Sequence, residues 1–109
     1  MTALPSCPIA AAVALVGDKW KIQILRELLR NGGTDRRFGQ LKAGIEHISD
    51  KMLSQSLKAL EADHLVCRRV LDVKPVGTAY SLTEMGKQLG ALLWALYDWG
   101  RLYQQTYPR

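Results

Sequence analysis

Apolar residues return every three or four positions along most of the chain, the spacing that places them on one face of an α-helix. Local signals mark where these helices begin: Pro8 suits a first helical turn, and Asp18 and Ser49 are good N-caps. Glycines follow several of the apolar runs, as expected beyond a last helical turn. The predicted elements of this first half are helices over 8–16, 19–30, 38–43 and 50–62 and a short strand over 34–37.

A different pattern follows the fourth helix. Residues 66–70 and 78–82 read as the two strands of a hairpin, joined by the turn residues 74–77. Thr83 is then expected to cap a long last helix over about 84–105. Two helices joined by a tight turn and followed by a two-stranded wing predict a winged helix-turn-helix, which is a mainly α fold with a small β-hairpin.

Three charged residues of the second helix are expected on its outer face, and two aromatic residues are expected in the core. On the second helix Lys21, Glu27 and Arg30 are predicted to face solvent. Trp20 and Phe38 are predicted to pack inside.

The helix that Ser49 precedes has two faces of opposite character. Its inner face is predicted to carry the leucines at positions 53, 57 and 60. Its outer face is polar, and one interpretation is a simple solvated surface. Because the helix follows a tight turn and precedes a wing, we interpret this face as the one that enters the major groove of double-stranded DNA. The polar residues are Lys51, Ser54, Gln55 and Lys58.

These four side chains have the chemistry that base reading requires. Gln55 can form a bidentate pair with adenine, and Ser54 is an adaptable partner. Lys51 and Lys58 can reach guanine or phosphate. Asp50 would repel phosphate, so we expect it to stabilise the first turn of the helix instead.

Basic residues around the motif are candidates for phosphate contacts, which position a protein without reading sequence. Because strand side chains alternate between the two faces, only one of Arg68 and Arg69 is expected to face DNA. We predict phosphate contacts for Arg37, Arg69 and Lys74; the alternative is that these residues serve solubility.

The last helix carries more apolar surface than a small domain needs. Five of its residues recur at intervals of three and four, the rhythm of a coiled coil. Trp94 and other residues widen the apolar surface beyond that stripe. Packing on its own core is one interpretation, and dimerisation with a second copy is the one we favour. The stripe consists of Leu89, Leu92, Leu96, Trp99 and Tyr103.

Composition limits the remaining possibilities. With 109 residues, 48% hydrophobic and 23% charged, the chain is expected to form a single globular domain over 1–109. The net charge of +5 favours a polyanionic partner. We find no bilayer-spanning run and no export leader, so we expect a cytoplasmic protein without a membrane partner.

Catalytic and metal chemistry find no support in the sequence. The two cysteines and two histidines lack metal-ligand spacing, so we expect no metal and no cofactor. A structural disulfide is also not expected. Neither a nucleophile with its base nor a glycine-rich phosphate loop is present, so we expect no enzyme. Cys67 is expected to be structural, and Cys7 is most simply interpreted as a small buried apolar residue.

Several segments, in order and spacing, resemble the HxlR-type regulators, which are relatives of the MarR-like winged helix repressors. The resemblance covers nearly the whole chain. It implies a homodimer that binds an inverted repeat and represses or activates a neighbouring gene. The segments that carry it are Cys7–Ile9, Gly17–Trp20, Phe38–Leu41, Ile48–Asp63 and Tyr80–Gly86.

The resemblance also bears on single residues. His64 stands where relatives usually have glycine, so we expect a positive φ there. The wing tip Val76–Ala79 lacks the arginine and glutamate that relatives tend to carry. In some members an N-terminal cysteine at the place of Cys7 senses oxidants or electrophiles, and a helix N-terminus would lower its pKa. The resemblance names no small-molecule effector. A winged helix used only for protein interactions remains the alternative function.

Overall fold

The predicted winged helix-turn-helix is confirmed by a computed structural model, which describes residues 3–30, 32, 34–72, 74 and 76–109. Two residues of the predicted wing region, 73 and 75, lie outside this part of the chain. The elements are α1 (Pro8–Val16), α2 (Lys19–Arg30), β1 (Arg36–Arg37), α3 (Phe38–Gly44), α4 (Asp50–Ala62), β2 (Val66–Leu71), β3 (Gly77–Leu82), α5 (Glu84–Lys87) and α6 (Leu89–Thr106).

The predicted caps explain where the helices begin. Asp18 Oδ1 accepts hydrogen bonds from the backbone N–H groups of Trp20 at 2.8 Å and Lys21 at 3.2 Å. Thr83 Oγ1 accepts from the Gly86 N–H at 3.0 Å. Each cap satisfies an N–H group that has no partner within its own helix.

Three antiparallel strands form one small sheet in the order β1-β3-β2. Tyr80 of β3 is the Cα partner of both Arg36 in β1 and Arg68 in β2. Val66, Tyr80 and Leu82 join the apolar core, as do the leucines of α2, α3 and α4. Trp20 and Phe38 are partly buried against that core, which agrees with the prediction.

The expected solvent position of Glu27 is wrong, because its side chain is only 4% exposed. Its carboxylate lies 3.0 Å from Nη1 of Arg30 and 3.6 Å from guanidinium nitrogens of Arg26 and Arg36. A Cβ at position 44 would lie 2.5 Å from Glu27 Oε2, so the glycine there lets the carboxylate approach α3. A buried charge is tolerated when it is paired, and three arginines meet that need.

The predicted last helix is interrupted. Gln88 separates α5 from α6, between two glycines that lower helix propensity. Gly86 is fixed against the strand region, since a Cβ there would lie 2.2 Å from the Leu65 carbonyl oxygen. In the described part of the chain, no helix is long and apolar enough to cross a membrane.

Candidate nucleic-acid interface

The turn between α3 and α4 is anchored to the apolar core. Ile45 and Ile48 are 2% and 5% exposed and fix the two ends of the turn to the core. His47 between them has φ of 65°, a left-handed conformation that the sequence pattern did not predict. Ser49 then caps α4 as predicted: its Oγ accepts a hydrogen bond from the Met52 N–H at 3.1 Å.

The two faces of α4 separate as predicted. Its three inner leucines are at most 1% exposed, so packing sets the rotation of the helix about its axis. On the opposite side Lys51, Gln55 and Lys58 are exposed, and Ser54 is half-buried. The four polar side chains therefore belong to a helix that the core holds in one orientation.

An ion pair connects α3 to the beginning of α4. Lys42 Nζ lies 2.6 Å from Asp50 Oδ1. Asp50 occupies the first turn of α4, where a carboxylate also interacts favourably with the helix dipole. The acidic residue at the beginning of the helix is thus paired with a cation from the preceding helix.

The end of α4 is tied to the wing and α5. His64 adopts φ of 64°, which confirms the positive value expected there. Its carbonyl accepts a hydrogen bond from Thr83 Oγ1 at 2.7 Å, and the same hydroxyl caps α5. The Thr83 side chain therefore links the segment that follows α4 to the first turn of α5.

The wing places its two arginines on opposite faces. Arg68 and Ser54 line a cavity of about 250 Å³ between α4 and β2, together with Lys58. Arg69 points to the other side of the sheet and pairs with the carboxylate of Asp35. The structure thus brings Arg68 to the polar face of α4, whereas the sequence pattern favoured Arg69.

The other two predicted phosphate contacts lie at the edges of this surface. The Arg37 N–H donates to Gln40 Oε1 at 2.8 Å, and the residue is half-buried at the beginning of α3. Lys74 is exposed near the tip of the wing. Two adjacent arginines in a strand do not show by themselves which of them faces α4. The pairing of Arg68 with Tyr80, a residue of the core, shows that it is Arg68.

Comparison with known proteins agrees with this geometry. The HxlR-like helix-turn-helix family matches residues 15–107. The HTH-type transcriptional regulator YdzF of Bacillus subtilis (strain 168) is 37% identical over 95 residues, which cover 85% of this chain and 84% of YdzF. The reduced form of the transcriptional regulator YodB from B. subtilis has a TM-score of 0.77 and 34% identity, with 96% of this chain and 99% of YodB covered. The redox regulator HypR in its reduced form has a TM-score of 0.81 and 28% identity, with 92% and 99% covered.

The chain belongs to the HxlR-like helix-turn-helix family. It is accordingly a DNA-binding transcription regulator. Nothing in these similarities favours the alternative of a winged helix that serves protein interactions alone. We call the polar face of α4 in this HxlR-like chain, which consists of Lys51, Ser54, Gln55 and Lys58, the reading face.

The last helix of this HxlR-like chain leaves most of its apolar side chains exposed. No residue of α6 is buried. Leu89 is half-buried against the core of its own chain, in contrast to the other four residues of the predicted dimerisation stripe. Those four are between 38% and 63% exposed. They are Leu92, Leu96, Trp99 and Tyr103.

Both cysteines of the HxlR-like chain are exposed, which contradicts the buried position expected of Cys7. Cys67 lies in β2, and its structural role stays a prediction. Cys7 occupies the N-cap position of α1, directly before Pro8. The backbone N–H groups of Ala10 and Ile9 stabilise the thiolate and lower the pKa of the Cys7 thiol. The lowered pKa agrees with the expectation for a helix N-terminus.

Proposed function

We propose that the protein regulates transcription as a homodimer that reads an inverted-repeat operator with the reading face of α4. The observation that carries this proposal is the separation of faces on α4, with leucines fixed in the core and a polar face left outside. Gln55 supplies adenine recognition, and Lys51 and Lys58 supply guanine or phosphate contacts. Such a role is one of binding rather than catalysis, and it requires a cytoplasmic location.

Phosphate contacts in this proposal come from both sides of α4. Arg68 extends the reading face toward β2, because it shares a cavity with Ser54 and Lys58. Lys74 adds a contact near the wing tip, and Arg37 adds one before α3. Arg69 has a smaller role than Arg68, since the Asp35 carboxylate already neutralises it.

The dimer is expected to form through the exposed stripe of α6. A two-fold axis relates two copies of α4 to two half-sites, which lie about 34 Å apart when they are separated by one turn of DNA. An inverted repeat then matches the symmetry of the protein.

Selection of bound sequences from random double-stranded DNA tests the proposal and identifies the operator in the same experiment. We expect an inverted repeat to be enriched, and gel shifts at two salt concentrations to show weaker binding at the higher one. Lys51→Ala with Gln55→Ala should lower affinity for that repeat by about 10-fold or more, since a good bidentate contact is worth about 1–3 kcal/mol.

A matched double variant, Lys87→Ala with Gln88→Ala, removes the same charge and amide from exposed positions at the end of α5 and directly after it. It should retain both the affinity and the sequence preference of the wild type. Failure of the wild type to enrich any repeat would contradict the proposal. Equal losses in the two double variants would assign the effect to net charge instead.

We further propose that oxidants or electrophiles act on Cys7 and change DNA affinity. The thiol is exposed and its pKa is lowered. The similar regulator YodB has been determined both in reduced form and after diamide treatment, and HypR is a redox regulator. Diamide should therefore alter the affinity of the wild type and leave that of Cys7→Ser unchanged; equal responses would exclude Cys7.

A further inference from the structure

Asp50 is the first residue of α4 and lies at the N-terminal edge of the reading face. Residues four positions apart are neighbours on a helix surface, so Asp50 precedes Ser54 and Lys58 in one row. Side chains lean toward the N-terminus of their helix, and the N-terminal residues of a recognition helix are those that contact base edges. The Asp50 side chain is 71% exposed, so its carboxylate is accessible at that end of α4.

The first turn of α4 does not need this carboxylate as a cap. Ser49 Oγ accepts a hydrogen bond from the Met52 N–H at 3.1 Å, and the Ser49 carbonyl accepts from the Leu53 N–H at 2.9 Å. The Asp50 side chain instead contacts Lys42 of α3 through Oδ1. A carboxylate has two acceptor oxygens, each of which can accept more than one hydrogen bond, so Asp50 keeps acceptor sites for a further donor.

The ion pair with Lys42 offsets the phosphate repulsion expected of Asp50. Lys42 Nζ lies 2.6 Å from Asp50 Oδ1, so the two side chains together carry no net charge. The first helix of a helix-turn-helix crosses the DNA backbone, and this helix is α3, which carries Lys42. The cation therefore lies on the helix that meets the phosphates, while the carboxylate lies on the helix that meets the bases.

We propose that Asp50 is a further base-reading residue, whose carboxylate accepts a hydrogen bond from the N4 amino group of one cytosine in each half-site. In the major groove only cytosine and adenine present N–H donors, and adenine has its N7 acceptor beside the donor, which repels a carboxylate. Guanine and thymine present acceptor oxygens there. The assignment rests on the proposed function, since it requires α4 to lie in the major groove, and it adds selection of a C·G pair to the adenine recognition by Gln55.

Selection from random double-stranded DNA with the wild type, Asp50→Ala and Asp50→Asn tests the assignment. The wild type should enrich an inverted repeat with one C·G pair per half-site that Asp50→Ala no longer selects, while preferences at the other positions stay unchanged. Asp50→Asn should also accept adenine at this position, because an asparagine amide pairs with adenine.

Gel shifts measure the same preference on a single operator. Uracil presents an acceptor oxygen where cytosine presents the N4 donor, and it adds no methyl group. Replacing that C·G pair by U·A in one half-site should lower wild-type affinity by about 5-fold or more, the usual effect of one mismatched base pair. The same exchange should change the affinity of Asp50→Ala by less than about 2-fold, since the carboxylate that discriminates is gone.

Two control variants separate base reading from net charge and from the ion pair. Asp63→Ala removes an exposed carboxylate directly after the other end of α4 and should keep the cytosine preference. Lys42→Gln breaks the same ion pair as Asp50→Ala but leaves the carboxylate in place. It should weaken binding to all sequences and also keep the cytosine preference.

A wild-type repeat whose base preferences are the same in both Asp50 variants would overturn the assignment and leave Asp50 only its ion pair with Lys42. Loss of the cytosine preference in Lys42→Gln as well would overturn it too, because the preference would then depend on the position of α4. Failure of the wild type to enrich any repeat would contradict the proposed function itself, and the assignment with it.

Discussion

The central helices and the terminal helices of this protein differ in how far the chain buries their residues. Helices α2 and α4 each bury four residues within the chain, whereas α1 buries only Val16 and α6 buries none. The central part therefore folds around a complete core and presents a polar reading face. The terminal helices retain apolar surface that the chain itself does not cover, as expected of elements that meet a partner.

The largest effect on stability should follow from a substitution that creates a cavity in the central part. Leu57 is 1% exposed on the inner face of α4, so Leu57→Ala should lower the free energy of unfolding by about 2–5 kcal/mol. Urea denaturation measures the change. Val70→Ala, at a 62% exposed strand position, should change stability by no more than about 0.5 kcal/mol. Similar losses in both variants would mean that α4 does not depend on the core as described.

Local signals explain why the central part could be predicted from the sequence. Asp18, Ser49 and Thr83 cap helices through hydrogen bonds to residues two or three positions away, so their roles follow from neighbouring sequence. The leucines of α4 share one face for the same local reason. The fold and most of the reading face therefore follow from short-range patterns in the chain.

Contacts between distant segments account for two differences between the structure and the expectations from the sequence. The buried carboxylate of Glu27 faces Arg36 of β1, which lies nine residues later in the chain. The choice between Arg68 and Arg69 depends on which side of the sheet meets α4, which only the packed structure decides. The position of Glu27 and that of the wing arginines both depend on charged residues that meet other elements. The pattern of hydrophobic residues does not specify such contacts.

A smaller change in stability but a clear change in assembly is expected on α6. Trp99 and Tyr103 lie on its exposed stripe with ring centroids 5.6 Å apart. Trp99→Glu with Tyr103→Glu should weaken the dimer by about 100-fold or more, since interface aromatics often contribute about 2 kcal/mol or more each. Sedimentation velocity measures the dissociation constant, and circular dichroism should show an unchanged helical content.

The neighbouring double variant Gln104→Glu with Gln105→Glu adds the same charge to the same helix at polar positions. It should dimerise as the wild type does, with similar affinity for an inverted repeat. If the two double variants dimerise equally, the apolar stripe of α6 is not the interface. The distinction between central and terminal helices would then need another explanation, such as an apolar partner of a different kind.

The smallest expected effect concerns the reactivity of Cys7 at the beginning of the other terminal helix. Its pKa is lowered by the amides of Ala10 and Ile9, so unfolding should return it toward the ordinary value. Below both pKa values, each unit of lowering raises the thiolate fraction about 10-fold, while the nucleophilicity of each thiolate falls only about 3-fold. Iodoacetamide should therefore react faster with the folded chain at low pH, and more slowly once both forms are ionised. In a Cys67→Ser background, rate profiles with and without urea should cross; profiles that coincide would show that the N-terminus of α1 does not activate this thiol.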